Sequence, residues 1–588
     1  MKHLLSGNEA FARGIYEAGV TFAVGYPGTP STEILENCVK FYGETVRCEW
    51  APNEKVALEA AAGAAMAGAR AVVTMKHVGL NVAADPLMSL AYTGTQGALI
   101  IIVADDPGMH SSQNEQDSRH YARFAKIPVL EPADSQEARD FILKAAEISE
   151  KYRTPVLVRT TTRVSHSRSL LELHEPVALD REIGFQKDPS KTALIPFWAK
   201  KLRVVVEERL KKMTKDNSDP NGWGVNVEEL RSDELGIVTE GIAYQYVREV
   251  FPNASVLKLG CPFPFPEALV RNFSYKVRKV LVVEEVEDFT EQHLRAAGIA
   301  CEGKSVVPNI GELSCDVLRE SKSKLEAPEE PRGVNAWCKA EMKTPLPNRP
   351  PTLCAGCPHR GVFYALNKMD VNVTGDIGCY SLGVSPPLSS LDTIICMGAG
   401  FSMAHGMAQS GQSRKTVGIL GDSTFFHSGI TGLLNIAWNK VNTTVIVLDN
   451  RTTAMTGHQE NPGSGKNLMG EETIAADITE IGRACGMKNI AVFNPLDHAE
   501  TVATLKRAVE SDEPWLLVSK SPCVLILKER MGAVRKIDPE KCKTCKQCLK
   551  LGCPAIEYSG DVPPTINSIV CNGCSLCNQI CKFGAISE

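Results

Sequence analysis

Cysteine residues gather near the end of the chain in two runs of similar spacing. The chain holds 20 cysteines, and their thiolates are soft ligands that suit iron–sulfur clusters or zinc. The first run contains Cys542, Cys545, Cys548 and Cys553, and the second contains Cys571, Cys574, Cys577 and Cys581. An isoleucine precedes each run and an Ala-Ile pair follows it. A zinc site would not need eight cysteines in two matching runs, so the repeat predicts two iron–sulfur clusters.

This repeat resembles the bacterial ferredoxins that carry two [4Fe–4S] clusters. In those proteins the fourth cysteine of each run ligates the cluster of the other run. The first run has one extra residue before Cys553 and the second lacks a terminal proline, but neither change removes a ligand. The resemblance therefore implies one cluster on Cys542, Cys545, Cys548 and Cys581, and a second on Cys571, Cys574, Cys577 and Cys553.

Four further cysteines lie earlier in the chain and are more widely scattered. They are Cys354, Cys357, Cys379 and Cys523. Four thiolates around one centre would suit iron–sulfur or zinc. Their scattered placement resembles that in the diphosphate domain of 2-oxoacid:ferredoxin oxidoreductases, which implies a third [4Fe–4S] cluster close to thiamine diphosphate. For Cys379 and Cys523, a role as buried structural thiols is an open alternative.

A second kind of chemistry is indicated by Gly421-Asp422-Ser423 and by Asp449-Asn450, each of which ends a short apolar run. We expect strands at Thr416–Leu420 and Thr444–Leu448, with a helix opening after the first. A helix N-terminus presents free backbone N–H groups to an anion. Carboxylate and amide oxygens, together with diphosphate oxygens, are ligands that Mg²⁺ prefers. The segment therefore predicts a cradle for a diphosphate and its metal, although an ordinary strand–helix–strand unit has similar corners.

The spacing resembles the thiamine diphosphate signature, a Gly-Asp-Gly followed downstream by Asn-Asn. Ser423 and Asp449 depart from that signature. The resemblance implies Mg²⁺ ligation by Asp422, Asn450 and the backbone carbonyl of Thr452. It also implies cofactor contacts from the residues of the first turn and from a Met-Gly pair beneath the thiazolium ring: Gly421, Ser423, Met397 and Gly398. A plain core methionine is the alternative for Met397.

Two earlier segments resemble the other half of a thiamine diphosphate site. The tight loop within Gly25–Glu33, with Gly28 and Thr29, follows a predicted strand and opens a helix, which is where α/β folds bind ligands. Glu54 begins a helix rich in alanine. An acidic residue there is often only a favourable helix start. The resemblance implies that Glu54 hydrogen-bonds N1′ of the aminopyrimidine and so promotes deprotonation of thiazolium C2.

The elements around these residues indicate an α/β protein of several domains. Helical and strand patterns alternate, which predicts parallel sheets covered on both faces. The small third α/β unit resembles the transketolase C-terminal type. We predict a thiamine diphosphate pyrimidine-type domain at 1–175, a helical segment and linker at 176–233, a transketolase-C-terminal-like domain at 234–321, a linker at 322–351, a thiamine diphosphate diphosphate-type domain at 352–530 and a two-cluster ferredoxin-like domain at 531–588.

Composition excludes several function classes. The 588 residues carry a formal net charge of −5, and without a long basic run we expect no nucleic acid partner. No apolar run is long enough to cross a bilayer, so we expect no membrane partner. We expect a cytoplasmic location, because the beginning of the chain lacks the pattern of a signal peptide. For a 2-oxo acid carboxylate, the polar segment after the strand at Ala98–Val103 offers Arg119 or His120, although solvation at the surface is the favoured interpretation of each.

Taken together, the chain resembles the large alpha subunits of indolepyruvate:ferredoxin oxidoreductases, a branch of the 2-oxoacid:ferredoxin oxidoreductases. The resemblance rests on Gly25–Glu33, Thr74–Asn81, Asp449–Gln459 and the cysteines. It implies oxidative decarboxylation of indolepyruvate and other arylpyruvates to aryl-acetyl-CoA, through a thiamine diphosphate enamine drained by iron–sulfur clusters. It also implies a smaller beta subunit, external ferredoxin, CoA and a 2-oxo acid as partners.

Two alternatives stay open at this point. One is a ferredoxin oxidoreductase for pyruvate, 2-oxoglutarate or a branched-chain oxo acid. The other is a non-catalytic electron-relay subunit whose thiamine diphosphate site is degenerate, which the departures at Ser423 and Asp449 would favour.

Overall fold

The protein is described by a computed structural model that covers residues 2–178, 183–184, 188–192, 194–326, 351–394, 396–409, 414–560 and 562–588. The chain divides into two compact units, Met1–Thr344 and Pro345–Glu588. Each unit is described by itself. Among the described residues, no helix is both long enough and apolar enough to cross a membrane.

The first unit is built on a six-stranded parallel sheet. Its strand order is β3-β2-β4-β5-β7-β6, and a two-stranded antiparallel pair, β1 with β8, is separate from it. The elements are β1 (Lys2–Ser6), α1 (Gly7–Glu17), β2 (Phe22–Gly25), α2 (Thr32–Tyr42), β3 (Arg47–Trp50), α3 (Glu54–Met66), β4 (Ala71–Lys76), α4 (His77–Val82), α5 (Ala84–Thr93), β5 (Leu99–Asp105), α6 (Arg119–Ala125), β6 (Val129–Leu130), α7 (Ser135–Tyr152), β7 (Val156–Thr161), α8 (Thr162–His166) and β8 (Arg168–Glu172).

The residues of the central strands explain this arrangement. β4, β5 and β7 are buried along their whole length, as expected for parallel strands covered by helices on both faces. The small side chains of α3 pack into the same apolar core as β4 and β5. The parallel α/β architecture predicted from the alternating pattern is confirmed.

A long helix leads from this sheet to a smaller one. The next elements are α9 (Pro189–Thr192), α10 (Pro196–Ser218) and β9 (Val227–Glu229). The polar stretch at 215–222, which we expected to be a linker, begins inside α10. Asn217 explains the difference, because it is buried and its side-chain amide donates to the carbonyls of Cys261 at 2.9 Å and Pro264 at 2.8 Å. This part of the chain is therefore anchored by tertiary hydrogen bonds.

The smaller sheet has the order β12-β10-β11-β9, with only β9 antiparallel to its neighbour. Its elements are β10 (Leu235–Glu240), α11 (Ala243–Val250), β11 (Ser255–Leu259), α12 (Glu267–Ser274), β12 (Lys279–Val283), α13 (Phe289–Ala296) and α14 (Cys315–Glu326). Apolar clusters pack on both faces of this sheet. Of the linker predicted at 322–351, the first five residues complete α14, and residues 327–350 lie outside the described part of the chain.

The second unit contains a five-stranded parallel sheet in the order β13-β14-β15-β17-β16. Its elements are α15 (His359–Leu366), β13 (Asn372–Thr374), a 3₁₀ helix (Cys379–Val384), α16 (Ala399–Gln409), β14 (Thr416–Gly421), α17 (Asp422–Thr424), a π-helical turn (Phe425–Gly429), α18 (Ile430–Trp438), β15 (Thr444–Asp449), α19 (Ile478–Ala484), β16 (Asn489–Phe493), α20 (His498–Val509) and β17 (Trp515–Lys520). The two strands predicted around the Gly-Asp turn are confirmed, each one residue longer than expected.

The last part of the second unit consists of short elements. They are β18 (Lys536–Ile537), a 3₁₀ helix (Cys548–Leu551), β19 (Ile556–Glu557), β20 (Thr565–Ile566), α21 (Leu576–Ile580) and β21 (Ile586–Ser587). β18 pairs with β21 and β19 with β20, both antiparallel. A small apolar cluster around Leu551 and Leu576 includes Tyr364 from α15. So small a core is typical of segments that a metal group or disulfides stabilise.

Candidate functional site

Polar side chains follow two neighbouring strands of the second unit's sheet. β14 and β15 are parallel and pair Gly421 with Leu448, so Asp422 and Asp449 come at adjacent strand ends. Both carboxyl groups are buried. The backbone N–H of Ser423 donates to Asp422 Oδ1 at 2.9 Å, and the N–H of Thr452 donates to Asn450 Oδ1 at 3.1 Å. The structure therefore brings these residues, singled out from the sequence, to one edge of the sheet.

The electrostatics of this edge favour a cation. Burial raises the pKa of Asp422 to about 7, and the negative charge of Asp449 adds to the rise. The Asn461 amide donates to Asp422 Oδ2 at 3.4 Å, a contact that the sequence analysis missed. A divalent cation would offset two buried carboxylates, and the oxygen donors of Asp422, Asn450 and the Thr452 carbonyl suit Mg²⁺. Within the described residues, no three or more His, Cys, Asp or Glu side chains are arranged to hold a metal ion.

Ser423 connects the two strand-end loops. The Thr453 hydroxyl donates to Ser423 Oγ at 3.0 Å. The loop after Asn450 is held in turn by Gln459, whose carbonyl accepts from the Thr453 N–H at 2.9 Å and from the Thr452 hydroxyl at 3.3 Å. A glycine in place of Ser423 could not accept the hydroxyl hydrogen bond. This departure from the thiamine diphosphate signature therefore has a structural role.

The Met397-Gly398 turn lies against the helix that follows Asp422. Gly398 has a φ of +90°, and a Cβ there would lie 2.7 Å from Cβ of Ser428. Ser428 Oγ donates to the Met397 carbonyl at 3.3 Å, and the Met397 side chain is half-buried. Glycine is therefore required beside Met397 by both backbone conformation and space.

Two residues that sequence reasoning missed support these turns. Asp376 is buried, its Oδ2 accepts from the Gly400 N–H at 3.0 Å, and burial raises its pKa to about 7. The ring of Tyr380 leaves no room for a side chain at Gly421, where a Cβ would lie 2.6 Å from Tyr380 Cε1. The Gly-Asp-Ile-Gly stretch around Asp376 was the available signal, because it also combines glycine and aspartate after a strand.

In the first unit, the predicted ligand loop follows β2. The Gly28 N–H donates to Thr32 Oγ1 at 2.8 Å, and the Gly28 carbonyl accepts from Ser31 Oγ at 2.8 Å. The Thr29 carbonyl accepts from Ser111 Oγ at 3.3 Å. A Cβ on Gly28 would lie 3.1 Å from Cβ of Lys76 at the end of β4. The loop is thus held between the ends of β2 and β4.

Glu54 begins α3 and is 5% exposed. Asn53 caps the helix by accepting from the Val56 N–H at 2.9 Å, so capping does not require the Glu54 side chain. Its carboxylate lies against Gly79 of α4, where an added Cβ would come within 2.5 Å of Glu54 Oε1. The buried carboxylate therefore occupies a position that only glycine on the neighbouring helix allows.

The prediction that Arg119 binds a substrate carboxylate is contradicted. Arg119 is fully buried and forms ion pairs with Asp117, Glu240 and Glu284. Its charge is already compensated by these carboxylates, and its burial keeps it away from a small ligand in solvent. His120, the other residue considered, is half-buried on the same helix.

Lys76 is a cation near the Gly28 loop that sequence reasoning passed over. Its Nζ donates to the Ser111 carbonyl at 2.7 Å. Burial lowers its pKa to about 8, against the opposing effect of the Asp106 carboxylate. The position of Lys76 at the last residue of a buried strand was the signal that could have found it.

The eight C-terminal cysteines line two separate cavities. One is lined by Cys542, Cys545, Cys548 and Cys581. The other is lined by Cys553, Cys571, Cys574 and Cys577. Burial raises the pKa of Cys577 to about 12, and the three other thiols of its cavity add to the rise. Each cavity thus combines three cysteines of one run with the fourth cysteine of the other.

The four scattered cysteines in the second unit affect one another's pKa values. Burial raises the pKa of Cys357 to about 12, with added contributions from Cys354 and Cys379. It raises the pKa of Cys379 to about 11, with contributions from Cys523 and Cys354. The backbone N–H of Cys523 donates to the Asn450 carbonyl at 2.9 Å. The thiol group therefore adjoins the polar edge of the sheet.

Comparisons with known proteins match two families. Residues 13–219 match "Pyruvate flavodoxin/ferredoxin oxidoreductase, thiamine diP-bdg". Residues 376–519 match "Thiamine pyrophosphate enzyme, C-terminal TPP binding domain". These ranges contain the Gly28 loop and Glu54 in the first case, and Asp422 and Asn450 in the second.

Relatives of similar length share more than a third of the residues. The chain is 42% identical to the indolepyruvate oxidoreductase subunit IorA of Methanothermobacter marburgensis, over 99% of this chain and 96% of that one. It is 39% identical to the subunit of the same name from Archaeoglobus fulgidus, over 100% and 97%. A solved 2-oxoglutarate:ferredoxin oxidoreductase from Magnetococcus marinus aligns with a TM-score of 0.46 and 16% identity, over 55% of this chain and 65% of that one.

Proposed function

The chain belongs to the family of indolepyruvate oxidoreductase IorA subunits, and from this premise we propose that it oxidises aryl 2-oxo acids such as indolepyruvate. In each turnover the bond to the carboxylate carbon breaks and CO₂ leaves. A thioester bond forms to the sulfur of CoA, whose thiol proton is released to solvent, giving aryl-acetyl-CoA, and two electrons pass singly to two oxidised ferredoxin molecules. The coarser activity, oxidation of a 2-oxo acid by a thiamine-dependent oxidoreductase, follows from family membership.

The observation that carries the proposal is the hydrogen bond from the Cys523 N–H to the Asn450 carbonyl. It joins two kinds of donor set in one unit: hard oxygens around Asp422 and soft thiols around Cys523. Hard oxygens suit a metal-bound diphosphate, and thiolates suit an iron–sulfur cluster. An enzyme that removes electrons from a thiamine-bound substrate needs these two groups near each other.

The residues present fit thiamine diphosphate with Mg²⁺. Asp422, Asn450 and the Thr452 carbonyl would hold the metal, while the turn at Gly421 and Ser423 would face the diphosphate and Met397-Gly398 the ring. The fit rests on the buried carboxyl groups of Asp422 and Asp449 and on the Asn450 amide oxygen, which come at adjacent strand ends. When bound, the cofactor supplies a carbon nucleophile and an electron sink.

Glu54 is proposed to exchange a proton with N1′ of the cofactor's aminopyrimidine, with Gly28 and Thr29 contributing binding contacts. Proton exchange of this kind requires a carboxylate shielded from water and held in place. Burial of Glu54 against Gly79 supports this role.

The C-terminal residues 531–588 are proposed to form a ferredoxin-like domain with two [4Fe–4S] clusters. The two cavities lined by four cysteines each support this proposal, as does the exchange of the fourth cysteine between them. The grouping of Cys354, Cys357, Cys379 and Cys523 supports a third cluster. The remaining boundaries proposed are the sheet domains at 1–175 and 352–530, with the smaller domain at 234–321 between linking segments.

A smaller beta subunit and external ferredoxin are the proposed partners. The lysines around the first cysteine run would favour an acidic ferredoxin, since complementary charge speeds association. They are Lys536, Lys541, Lys543, Lys546 and Lys550.

The substrate proposal is tested by anaerobic turnover with CoA and ferredoxin. The full chain, purified with its smaller subunit, would be supplied in parallel with indolepyruvate, pyruvate, 2-oxoglutarate and a branched-chain oxo acid. We expect the highest kcat/KM for indolepyruvate, with aryl-acetyl-CoA identified by mass. A preference for pyruvate or 2-oxoglutarate would assign the chain to a sister activity.

Cofactor analysis separates this enzyme from a non-catalytic relay subunit. Asp449 beside Asp422 is the feature that would favour the relay, because extra negative charge opposes a diphosphate. We expect purified protein to contain thiamine diphosphate as well as iron and sulfide. Iron and sulfide without thiamine diphosphate, and no binding when it is added with Mg²⁺, would establish the relay instead.

A further inference from the structure

Arg360 occupies an unusual position in the second unit. It follows the Cys354–Cys357 segment at the start of α15 and is 2% exposed. Its Nη1 donates to the carbonyls of Leu551 and Gly552, each at 2.7 Å. Its Nε donates to the Cys354 carbonyl at 3.2 Å. The guanidinium therefore bonds to backbone next to cysteines of two different sets, Cys354 of the scattered set and Cys553 of the second C-terminal cavity.

The charge of Arg360 has no carboxylate partner among the described residues. Arg119 and Arg159, which are equally buried in the first unit, each pair with two or more carboxylates. The titratable groups with the largest effect on the pKa of Arg360 are thiols: Cys553, Cys357, Cys354 and Cys574. Burial lowers the pKa of Arg360, and these thiols oppose that effect.

A buried cation without a counter-charge is strongly unfavourable. Neutral thiols cannot offset it, whereas a [4Fe–4S] cluster on four thiolates carries net negative charge in both of its ordinary oxidation states. Two such clusters on either side would supply the missing counter-charge. The backbone carbonyls that accept from Arg360 stabilise its guanidinium in part, and negatively charged clusters on either side would add the counter-charge.

We propose that Arg360 is a positioning residue that electrostatically couples the cluster of the Cys354, Cys357, Cys379 and Cys523 set to the cluster of the Cys553, Cys571, Cys574 and Cys577 cavity. This inference rests on the proposed function, because it requires both clusters. With the clusters bound, the positive charge of Arg360 would stabilise the more negative, reduced state of each and so raise both reduction potentials. The clusters would supply one-electron transfer between the two sides, with no bond broken and no proton moved.

In a purely structural role, the hydrogen bonds of Arg360 would matter and its positive charge would not. Arg360 could serve only to hold the 551–552 carbonyls against the Cys354 segment. Substitutions separate the two roles, since Arg360→Lys keeps the charge but loses the planar fork of donors. Arg360→Gln removes the charge and keeps one amide donor.

The test is an EPR-monitored redox titration with dithionite on the anaerobic full chain. At fixed solution potential we expect Arg360→Gln to lower the ratio of reduced to oxidised cluster at least tenfold, which is about 59 mV for one electron. Arg360→Lys should stay near wild type. Arg535→Gln is the matched control, because Arg535 lines the same cavity but pairs with Glu588 at 2.9 Å. It should shift the potentials less than Arg360→Gln.

Iron content makes each outcome decisive. Unshifted potentials in Arg360→Gln with full iron would overturn the inference, as would loss of iron from both Arg360 variants, which would indicate a structural role. Full iron in both variants, with lowered potentials in Arg360→Gln and near-wild-type potentials in Arg360→Lys, would support it. Absence of iron from the wild-type chain would overturn the proposal that it binds clusters. Iron analysis of the wild-type protein, done before any variant is made, separates this outcome from the others.

Discussion

The Glu54 side chain is buried, and its neighbours fix the position of its carboxylate. Gly79 provides the space for its carboxylate, and Asn53 performs the capping that an acidic first-turn residue often shares in. The family implies a proton-exchanging role for this carboxylate. The local structure supports that role, because nothing in helix capping requires Glu54 to be buried.

We predict that Glu54→Gln lowers the rate of CO₂ release by about 10²- to 10⁴-fold, the range of general acid–base catalysis. Glutamine has the same shape and fits beside Gly79, so iron content and thermal stability should be unchanged. Release of labelled CO₂ from indolepyruvate is the measurement, and Glu59→Gln, an exposed position on the same helix, is the control. Wild-type rates in Glu54→Gln would show that another group activates the cofactor.

Ser423 and Asp449, the two departures from the thiamine diphosphate signature, both make contacts with the loop after Asn450. Ser423 accepts a hydrogen bond from Thr453, and Asp449 accepts from the Arg451 N–H at 3.2 Å, with the Arg451 guanidinium 3.6 Å from its other oxygen. Both side chains organise the loop after Asn450. A retuned loop is therefore the better explanation than a lost site.

At the scale of elements, the two sheets of the first unit meet through buried charge. Arg119 at the start of α6 pairs with Glu240 at the end of β10 and with Glu284, which follows β12. Glu285 is the next residue, and its Oε1 accepts from the Leu313 N–H at 3.1 Å. Glu240 and Glu284 at strand ends of the smaller sheet thus hold α6, which belongs to the larger sheet. Because these carboxylates already pair with Arg119, they are not available to bind a ligand.

Glu285 makes a pH-dependent contribution to the stability of this contact. Burial raises its pKa to about 7, from an ordinary value of 4.5. Between those values the folded protein keeps a proton that the unfolded chain loses. The free energy of unfolding therefore falls as pH rises through this window. Each pKa unit corresponds to about 1.36 kcal/mol, so the loss between 4.5 and about 7 is on the order of 3 kcal/mol.

We predict that Glu285→Gln removes this loss, because glutamine accepts the Leu313 hydrogen bond without a charge. Urea unfolding at about pH 5 and about pH 8 should show the variant gaining stability over wild type only at the higher pH. Glu287→Gln, at an exposed carboxylate two residues further on, should behave as wild type. Equal differences at both pH values would show that Glu285 does not titrate in this window.

At the scale of the whole molecule, the chain carries cofactor chemistry in several domains. The candidate residues for thiamine diphosphate occur in both units, whereas all twelve candidate iron ligands are in the second. Within that unit, backbone contacts connect the groups in sequence. Cys523 adjoins Asn450, and Arg360 adjoins both Cys354 and the residue before Cys553. This order matches the direction in which electrons from a 2-oxo acid would leave.

The number of clusters is a property of the whole chain. We predict about twelve irons per chain, and about eight in Cys523→Ala, because a [4Fe–4S] cluster requires its four ligands. Cys485→Ala should keep the full content, since Cys485 is half-buried outside the three thiol sets. Iron and acid-labile sulfide determined under anaerobic conditions are the measurement. Full iron in Cys523→Ala would remove this cysteine from the third cluster.

The parts of the fold that depend on the pattern of neighbouring residues along the chain could be predicted from the sequence. Buried strands such as β5, β14 and β15 are continuous apolar runs, and the turns after β14 and β15 show the polar residues that end them. Other features could not be predicted. The helix α10 runs into a polar stretch because Asn217 binds carbonyls 44 and 47 residues away, and neither partner is visible in the local pattern.

The sequence by itself determined which chemistry this protein is equipped for, since the spacing of thiols and of strand-end oxygens is a property of short segments. Only the tertiary structure decided which charged groups are free to act. Arg119 pairs with a carboxylate 121 residues away, while Arg360 donates to a carbonyl 191 residues away and has no carboxylate partner among the described residues. Coulomb energy depends on distance and burial in space, and separation along the chain specifies neither.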